Sequence, residues 1–347
     1  MSAQSPMSSK LSSMSGMLGI DVSKGSLSCA FLEAATQEFV WEATISNTPQ
    51  QIAALIERTP PESAWILEPT GRYGLNVVQL ARQAGRTVLL APPRKAKSFM
   101  ASLPRRAKND RLDSQGLALM GLSLSHKLAP YPLKSELVDE IDQLLSARKG
   151  LSRSVATLTL QARELPYARE ALKQAKADLK ARMKALDKRL ASLVAGSPEL
   201  KVVATLKKVE GIGPVTATAV AACLTNKQFS HPDKFVAFIG LDVEVRDSGT
   251  RKGTRRLTHQ GNAELRRLLY LAAQASLRTK EGPFKAQYER EREKGLPSTA
   301  ALCAVARKMA KLCWSLHKHG TDYDSARVYQ QPKKKTEQKT EANAKNP

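Results

Sequence analysis

The tightest constraint on this chain lies in its first 125 residues, where short apolar stretches of two different periods follow one another in a fixed order. From Met17 to about Asn47 three segments read as strands. They are MLGIDVS, then SLSCAFLE after the turn Ser23-Lys24-Gly25, then EFVWEATIS, which alternates with period two. Pro49 opens an amphipathic helix with Ile52, Leu55 and Ile56 on one side. Ala64 to Leu67 is a short buried strand that stops at Glu68-Pro69, and Asn76 to Ala84 is a helix. Thr87 to Leu90 is another strand, closed by Pro92-Pro93. A basic loop, Arg94 to Lys108, then leads into a helix from about Asn109 to Ser125. The predicted order is βββαβαβα, with the three leading strands as a meander.

That order resembles a ribonuclease-H-like (RuvC-like) α/β domain, and it changes how four carboxylates are read. Asp21 sits at the centre of the first strand, where a charge is costly unless something pairs with it. Glu68 ends a buried strand. Asp110 and Asp113 share one face of a helix by their i, i+3 spacing. Taken singly, Asp110 and Asp113 read as a cap and a first-turn acid, and Glu68 as a loop acid. In a ribonuclease-H-like sheet, however, the first and fourth strands are neighbours, so Asp21 and Glu68 can converge. The last helix can lay two more acids over the same point. Four oxygen donors suit one or two Mg²⁺ ions, which stabilise charge developing at a phosphate.

Charge points to the partner. The chain carries a formal +23, of which only +4 falls in residues 1–126 and +19 in residues 127–347. A surplus of this size calls for a polyanion, and the second part is the expected main binder. Aromatics are 5%, too few for base-stacking platforms to be the main design. No apolar run is long enough to cross a membrane, so no membrane partner is expected. Met1 to Met17 is rich in Ser and Met without an apolar core, and reads as a flexible leader of a cytoplasmic protein. Cys29, Cys223, Cys303 and Cys313 are scattered in apolar surroundings, with neither disulfide nor zinc spacing.

Beyond the first domain the pattern becomes long-helical. Leu179, Met183, Leu186, Leu190 and Leu193 follow a 4-3-4-3 spacing, and Pro166 separates this helix from an earlier one, Leu137 to Leu165. The pair forms either an intramolecular hairpin or a dimerising coiled coil. Next, Leu206 to Val220 fits a helix-hairpin-helix, with the turn Gly211-Ile212-Gly213. Its glycines let backbone N–H groups approach a phosphate at the start of the second helix. The alternatives are an ordinary glycine turn and a motif that packs protein instead of DNA. The segment Val245 to Arg256 holds Arg246, Arg251, Lys252, Arg255 and Arg256 around Ser248-Gly249, and reads as a flexible cationic loop. By itself Ser248 is a turn residue, because a hydroxyl needs a base, a metal or nearby cations to become a nucleophile.

Five motifs occur in order: GIDVSK at 19–24, LEPTGRY at 67–73, KNDRLDS at 108–114, VEGIGPVTA at 209–217 and the DSG…RKG…RRL…GN…LRRLLY run at 247–270. Together they resemble the DEDD transposases of a bacterial insertion-sequence family, which includes Piv-type invertases and bridge-RNA-guided recombinases. The resemblance spans about residues 17–325. It implies a RuvC-like domain, a coiled-coil linker and a mainly α transposase domain. It implies that Asp21, Glu68, Asp110 and Asp113 bind Mg²⁺, and that Ser248 forms a phosphoserine link to DNA in a composite site completed between protomers. It further implies dimers to tetramers, donor and target DNA as substrates, and a structured non-coding guide RNA as partner. Thr258 and His259 stand where serine and lysine are common, and neither is assigned a role.

The expected organisation is a leader (1–16), a RuvC-like catalytic domain (17–130), a linker arm (131–200), a transposase domain with the hairpin and the serine loop (201–325), and a low-complexity disordered tail (326–347). The expected activity is Mg²⁺-dependent cleavage and strand exchange of an insertion sequence. Each phosphoserine conserves the energy of a phosphodiester, which suits a chain without a Walker motif. Two other readings remain: a junction nuclease that uses the same acids with water, and a non-enzymatic nucleic-acid scaffold.

Overall fold

The computed structural model describes residues 14–69, 71, 73–103, 109–244 and 256–328. The chain divides into two compact units, Met1–Leu133 and Lys134–Pro347.

The first unit is built on five strands: β1 (Gly16–Val22), β2 (Ser26–Glu33), β3 (Phe39–Ser46), β4 (Ala64–Leu67) and β5 (Thr87–Leu90). Their order is β3-β2-β1-β4-β5. β1, β2 and β3 form the antiparallel meander, while β4 and β5 run parallel to β1. This is the ribonuclease-H-like arrangement, with β1 central.

Alternation splits each central strand between two cores. Leu18 and Ile20 of β1, with Trp65 and Leu67 of β4, pack beneath α1 (Pro49–Arg58) and α2 (Leu75–Gln83). Met17 and Ile66 face the other way, towards α3 (Pro93–Ser102) and α4 (Asp110–Leu124). The stretch read as a basic loop from Arg94 to Lys108 is therefore helical over Pro93–Ser102. Its cations mask an apolar side, on which Ala96 is buried and Phe99 and Met100 pack on the core. Residues 104–108 lie outside the described residues.

Gly19 decides how closely α4 lies on the sheet. A Cβ there would meet the Ser114 carbonyl oxygen at 2.0 Å and the Ala118 nitrogen at 2.5 Å. Gly121, further along α4, is in the same way against Met17. The helix thus runs antiparallel to β1, with its first turn over the C-terminal end of that strand.

In the second unit, α5 (Glu136–Glu164) and α6 (Arg169–Ala195) fold back on each other through a 3₁₀ turn at Pro166–Ala168. Arg148 to Asp187 and Arg189 to Glu140 tie the two helices across the hairpin. The base of the hairpin shares a core with the helices that follow. Val138, Ile141, Leu145 and Leu190 join Leu206, Val220, Phe235, Leu269 and Met309. These helices are α7 (Val202–Leu206), α8 (Pro214–Asn226), α9 (Pro232–Ile239), α10 (Ala263–Ser276), α11 (Pro283–Glu293), α12 (Ser298–His319) and α13 (Ser325–Val328). A ribbon of β6 (Val243–Glu244) and β7 (Arg256–Leu257) lies between α9 and α10.

Candidate functional site

The sheet sets two of the acids side by side. Ile20 pairs with Leu67 in the parallel β1–β4 ladder, and Asp21 and Glu68 are the next residues on each strand. By alternation both follow Gly19 and Ile66 onto the face that carries α4. Asp21 is half-buried, as is Glu68. Asp110 lies one helical turn before Ser114, on the side of α4 that meets the sheet, and Asp113 is half-buried next to it. Asn109 caps the helix by accepting from Leu112 N at 2.8 Å, so both aspartates occupy the first turn rather than the cap. Three elements therefore bring four carboxylates to one end of one face of the sheet.

The donor chemistry suits a hard divalent cation. Among the described residues, no three His, Cys, Asp or Glu side chains gather closely enough to form a ligand shell. The acids share an end of the fold without closing on a common point.

Glu42 on the edge strand β3 was not singled out in the sequence. It pairs in register with Ala30, which in turn pairs with Gly19, so it shares the α4 face. Its carboxylate accepts from Arg111 Nε and, at 2.5 Å, from Gln115 Nε2. These donors lie on successive turns of α4, the first of them between Asp110 and Asp113. Burial pushes the Glu42 carboxyl up, but the two hydrogen bonds and the Arg111 charge outweigh it and hold it below its ordinary value. A cleft of about 520 Å³ opens beside this brace, lined by Ser28, Trp41, Glu42, Thr44, Arg111 and Ser114. The only sequence signal for Glu42 is the alternation of EFVWEATIS, which places it on the same side as Thr44.

Thiol chemistry is disfavoured. Burial pushes Cys29, Cys223 and Cys313 up to about 12, and raises Cys303 as well. A thiol held protonated is a poor nucleophile and a poor ligand.

The hairpin motif divides between its two glycines. Gly211 has φ +84, and a Cβ there would lie 2.1 Å from the Ala272 carbonyl oxygen of α10. Its glycine requirement is met by protein packing, the alternative left open in the sequence. Gly213 is different: it precedes Pro214 at the start of α8, and a Cβ there would meet nothing within 4 Å. The chain after α12 straps this turn. Tyr323 donates to Glu210, which with burial raises the phenol, and Lys208 pairs with Asp322 at 2.9 Å.

Ser248, Arg246, Arg251, Lys252 and Arg255 lie outside the described residues. The residues that bracket them are firmly set. Glu244 pairs with Arg256, which is exposed on β7. Thr258 donates from its backbone to the Asp242 carbonyl at 3.1 Å and from its hydroxyl to the Asp242 carboxylate at 2.5 Å. Thr258, left without a role in the sequence, anchors the base of this segment. His259 has φ +51, and Gly261 backs onto the Phe238 carbonyl at a distance that a Cβ would reduce to 2.0 Å.

Comparison with known proteins matches both units. A transposase model of the DEDD type found in IS110 elements covers residues 18–166, and a model described as the transposase IS116/IS110/IS902 family covers residues 203–289. A probable family 20 transposase of Pseudomonas aeruginosa is 29% identical over 191 residues, 52% of this chain and 56% of that protein. An uncharacterized 44.8 kDa protein of insertion element IS116 from Streptomyces clavuligerus is 29% identical over 112 residues, 32% of this chain and 28% of its own length. An uncharacterized 42 kDa protein of element IS900 from Mycobacterium paratuberculosis is 30% identical over 28% of this chain and 24% of its length. The chain thus spans between about a quarter and just over half of these relatives. A solved T. thermophilus RuvC in complex with a Holliday junction substrate aligns with 33% of this chain and 99% of that one, at 15% identity and a TM-score of 0.27. The fold assignment rests on the strand order and not on that superposition. No helix among the described residues is long and apolar enough to cross a membrane. The two family matches together cover more than half of the sequence, and the chain belongs to the IS116/IS110/IS902 family of DEDD transposases.

Proposed function

We propose that this chain cuts and rejoins DNA as the transposase of a bacterial insertion sequence, through a covalent serine intermediate. The observation that carries the proposal is the meeting of three elements at one end of the first unit. The ends of two parallel strands bring Asp21 and Glu68 together, and α4 brings Asp110 and Asp113. These four acids would hold divalent metal, with Mg²⁺ the expected ion. Bound there, it would stabilise the charge that develops on a scissile phosphate.

The remaining chemistry belongs to the chain itself. Ser248 Oγ loses its proton and forms a bond to the phosphorus, while the bond from phosphorus to one sugar oxygen breaks and that oxygen takes up a proton. A hydroxyl of the second DNA strand then attacks the phosphoserine, and the serine leaves with its proton restored. One phosphate ester is exchanged for another at each step, so no nucleotide triphosphate is consumed. Arg246, Arg251, Lys252, Arg255 and Arg256 would neutralise phosphates around the serine. The start of α8 at Gly213 would offer first-turn N–H groups and the positive end of a helix to the backbone. A structured guide RNA would choose the DNA sites by base pairing, and the active form would be a homo-oligomer, dimer to tetramer.

The test uses the full chain, Mg²⁺, DNA carrying the sequences that flank its coding region, and RNA transcribed from those flanks. Wild-type protein should form a denaturant-resistant protein–DNA adduct and exchange strands. Ser248→Ala should abolish both, and Asp21→Asn should abolish cleavage with DNA binding retained. Strand exchange by Ser248→Ala would overturn the serine step. Cleavage by that variant without any adduct would assign the site to a water nucleophile instead.

A further inference from the structure

We infer that the outer flank of α6 is a docking surface for the phosphate backbone of a DNA duplex, formed by the lysine row Lys176, Lys180, Lys184 and Lys188. The inference rests on the DNA partner of the preceding section, and it assigns DNA to a part of the fold outside the four acids, the Gly211-Ile212-Gly213 turn and the serine segment.

The row is a ladder at i, i+4, so every lysine in it has another lysine one turn away along the helix. Like charges at that spacing destabilise a helix. A face that had only to be solvated is better served by alternating glutamate and lysine. Lys180, Lys184 and Lys188 are exposed, and Lys176 is half-buried. The acids of α6 are committed elsewhere. Glu170 pairs with Lys173 at 3.2 Å, Asp178 accepts from Gln174 at 3.3 Å, and Asp187 is held by Arg148 of α5 at 2.5 Å. The neighbouring Arg189 is paired with Glu140 at 2.7 Å. Among the described residues, none forms an ion pair with the four lysines of the row.

Geometry selects the class of ligand. At about 1.5 Å per residue the row is about 18 Å long, with steps of about 6 Å. Each i, i+4 step also advances about 40° around the helix, so the row winds as it rises and its ammonium groups cannot converge on one small anion. They can track a linear polyanion, and duplex DNA carries about one charge per 1.7 Å of its axis. The apolar side of α6 is turned against α5, so the helix has no free apolar face with which to enter a lipid surface.

The test measures binding of the full chain to a DNA duplex and to an RNA duplex of unrelated sequence, as a function of salt. The variant is Lys180→Gln/Lys184→Gln/Lys188→Gln, since glutamine matches lysine in helix propensity. Each lost phosphate contact should lower the slope of log K against log salt by about 0.9, so the triple variant should lose about 2–3 units. Loss on the DNA duplex, with or without loss on RNA, supports the inference, and loss on the RNA duplex alone would overturn it. Lys180→Arg/Lys184→Arg/Lys188→Arg should keep the wild-type slope. A control variant, Lys280→Gln/Lys294→Gln/Lys318→Gln, removes exposed lysines of the same unit and should also keep it. An unchanged slope for the first variant on the DNA duplex would overturn the inference, as would equal losses in the control or a loss in the arginine variant. Mg²⁺-dependent adduct formation by the same preparations reads the proposed activity separately, so failure of the lysine row is distinguishable from failure of the transposase reading.

Discussion

Glu42 shows how much a single side chain can position without standing among the acids itself. Its carboxylate joins β3 to two successive turns of α4, and its side chain is only 20% exposed. Removing it leaves Arg111 and Gln115 without their acceptor, beside the two aspartates of the first turn. Glu42→Ala is expected to cost about 0.5–1.5 kcal/mol of stability in urea titrations. Because it supports the acids without joining them, it should also weaken metal binding about 10-fold or more in a Mn²⁺ titration. Unchanged metal affinity would make the brace purely structural. The pH dependence has a definite sign. A carboxyl lowered on folding contributes stability that is fully present above its unfolded value, about 4.3 for glutamate, and lost as pH falls through the folded value. The difference in melting temperature between wild type and Glu42→Gln should therefore be constant near neutrality and shrink on acidification below about 4. Asp21, Glu68, Asp110 and Asp113 were legible because each interrupts an apolar pattern or sits at a strand or helix end. Glu42 was not, because an acid in an alternating edge strand looks like a solvent-facing residue, and only the helix laid over it makes it otherwise.

At the level of elements, the registers that matter are set by absences of side chains. Gly19 allows α4 to touch β1, and Gly19→Ala must push either the Ser114 carbonyl or the whole helix away. Overpacking of this kind costs about 1–3 kcal/mol, and here it would also lift the first turn of α4 from the end of β1. Cleavage should fall more than global stability in that variant, and equal losses would argue that the contact matters for folding alone. The lysine row makes the opposite trade. Lys180→Glu replaces two repulsive neighbours by attractive ones and should stabilise α6 by about 0.5–1 kcal/mol, while weakening nucleic-acid binding. Gains in both, measured by thermal melts and salt titrations, would contradict the docking role. Periodicity made the five sheet strands and the long helices readable, since each presents at least one full apolar face. It could not reveal the β6–β7 ribbon, because two residues per strand contain no period. It also misjudged α3, whose cations outnumber its few core-facing side chains. The arm was ambiguous in the sequence because an a/d seam does not say which helix it meets. The short turn at Pro166–Ala168 and the ties from Arg148 and Arg189 close the hairpin within one chain.

On the scale of the whole molecule, the two units have separate cores, and the buried thiols happen to sample both. Cys29 is 2% exposed among Leu27, Phe31 and Ile52 in the first unit. Cys313 is fully buried among Val305, Met309 and Leu316 in the second. Neither reacts readily while folded: burial denies access to reagent, and a thiol pushed up to about 12 has almost no thiolate near neutral pH. Alkylation of either thiol in a denaturant series therefore reports the opening of the core around it and little else. Among the described residues each unit has apolar clusters of its own, and the cores are expected to open separately. A short pulse of alkylating agent across a urea gradient, read by mass spectrometry, should give different midpoints for Cys29 and Cys313. The half-buried Cys303 should label before either. The difference in charge sharpens the expectation. The second part of the chain carries most of the +23, so added salt screens its self-repulsion and should move the Cys313 midpoint upward more than that of Cys29. Coincident midpoints that shift together with salt would mean that the two cores unfold as one cooperative body, and that the uneven charge is felt by the whole chain rather than by the unit that bears it.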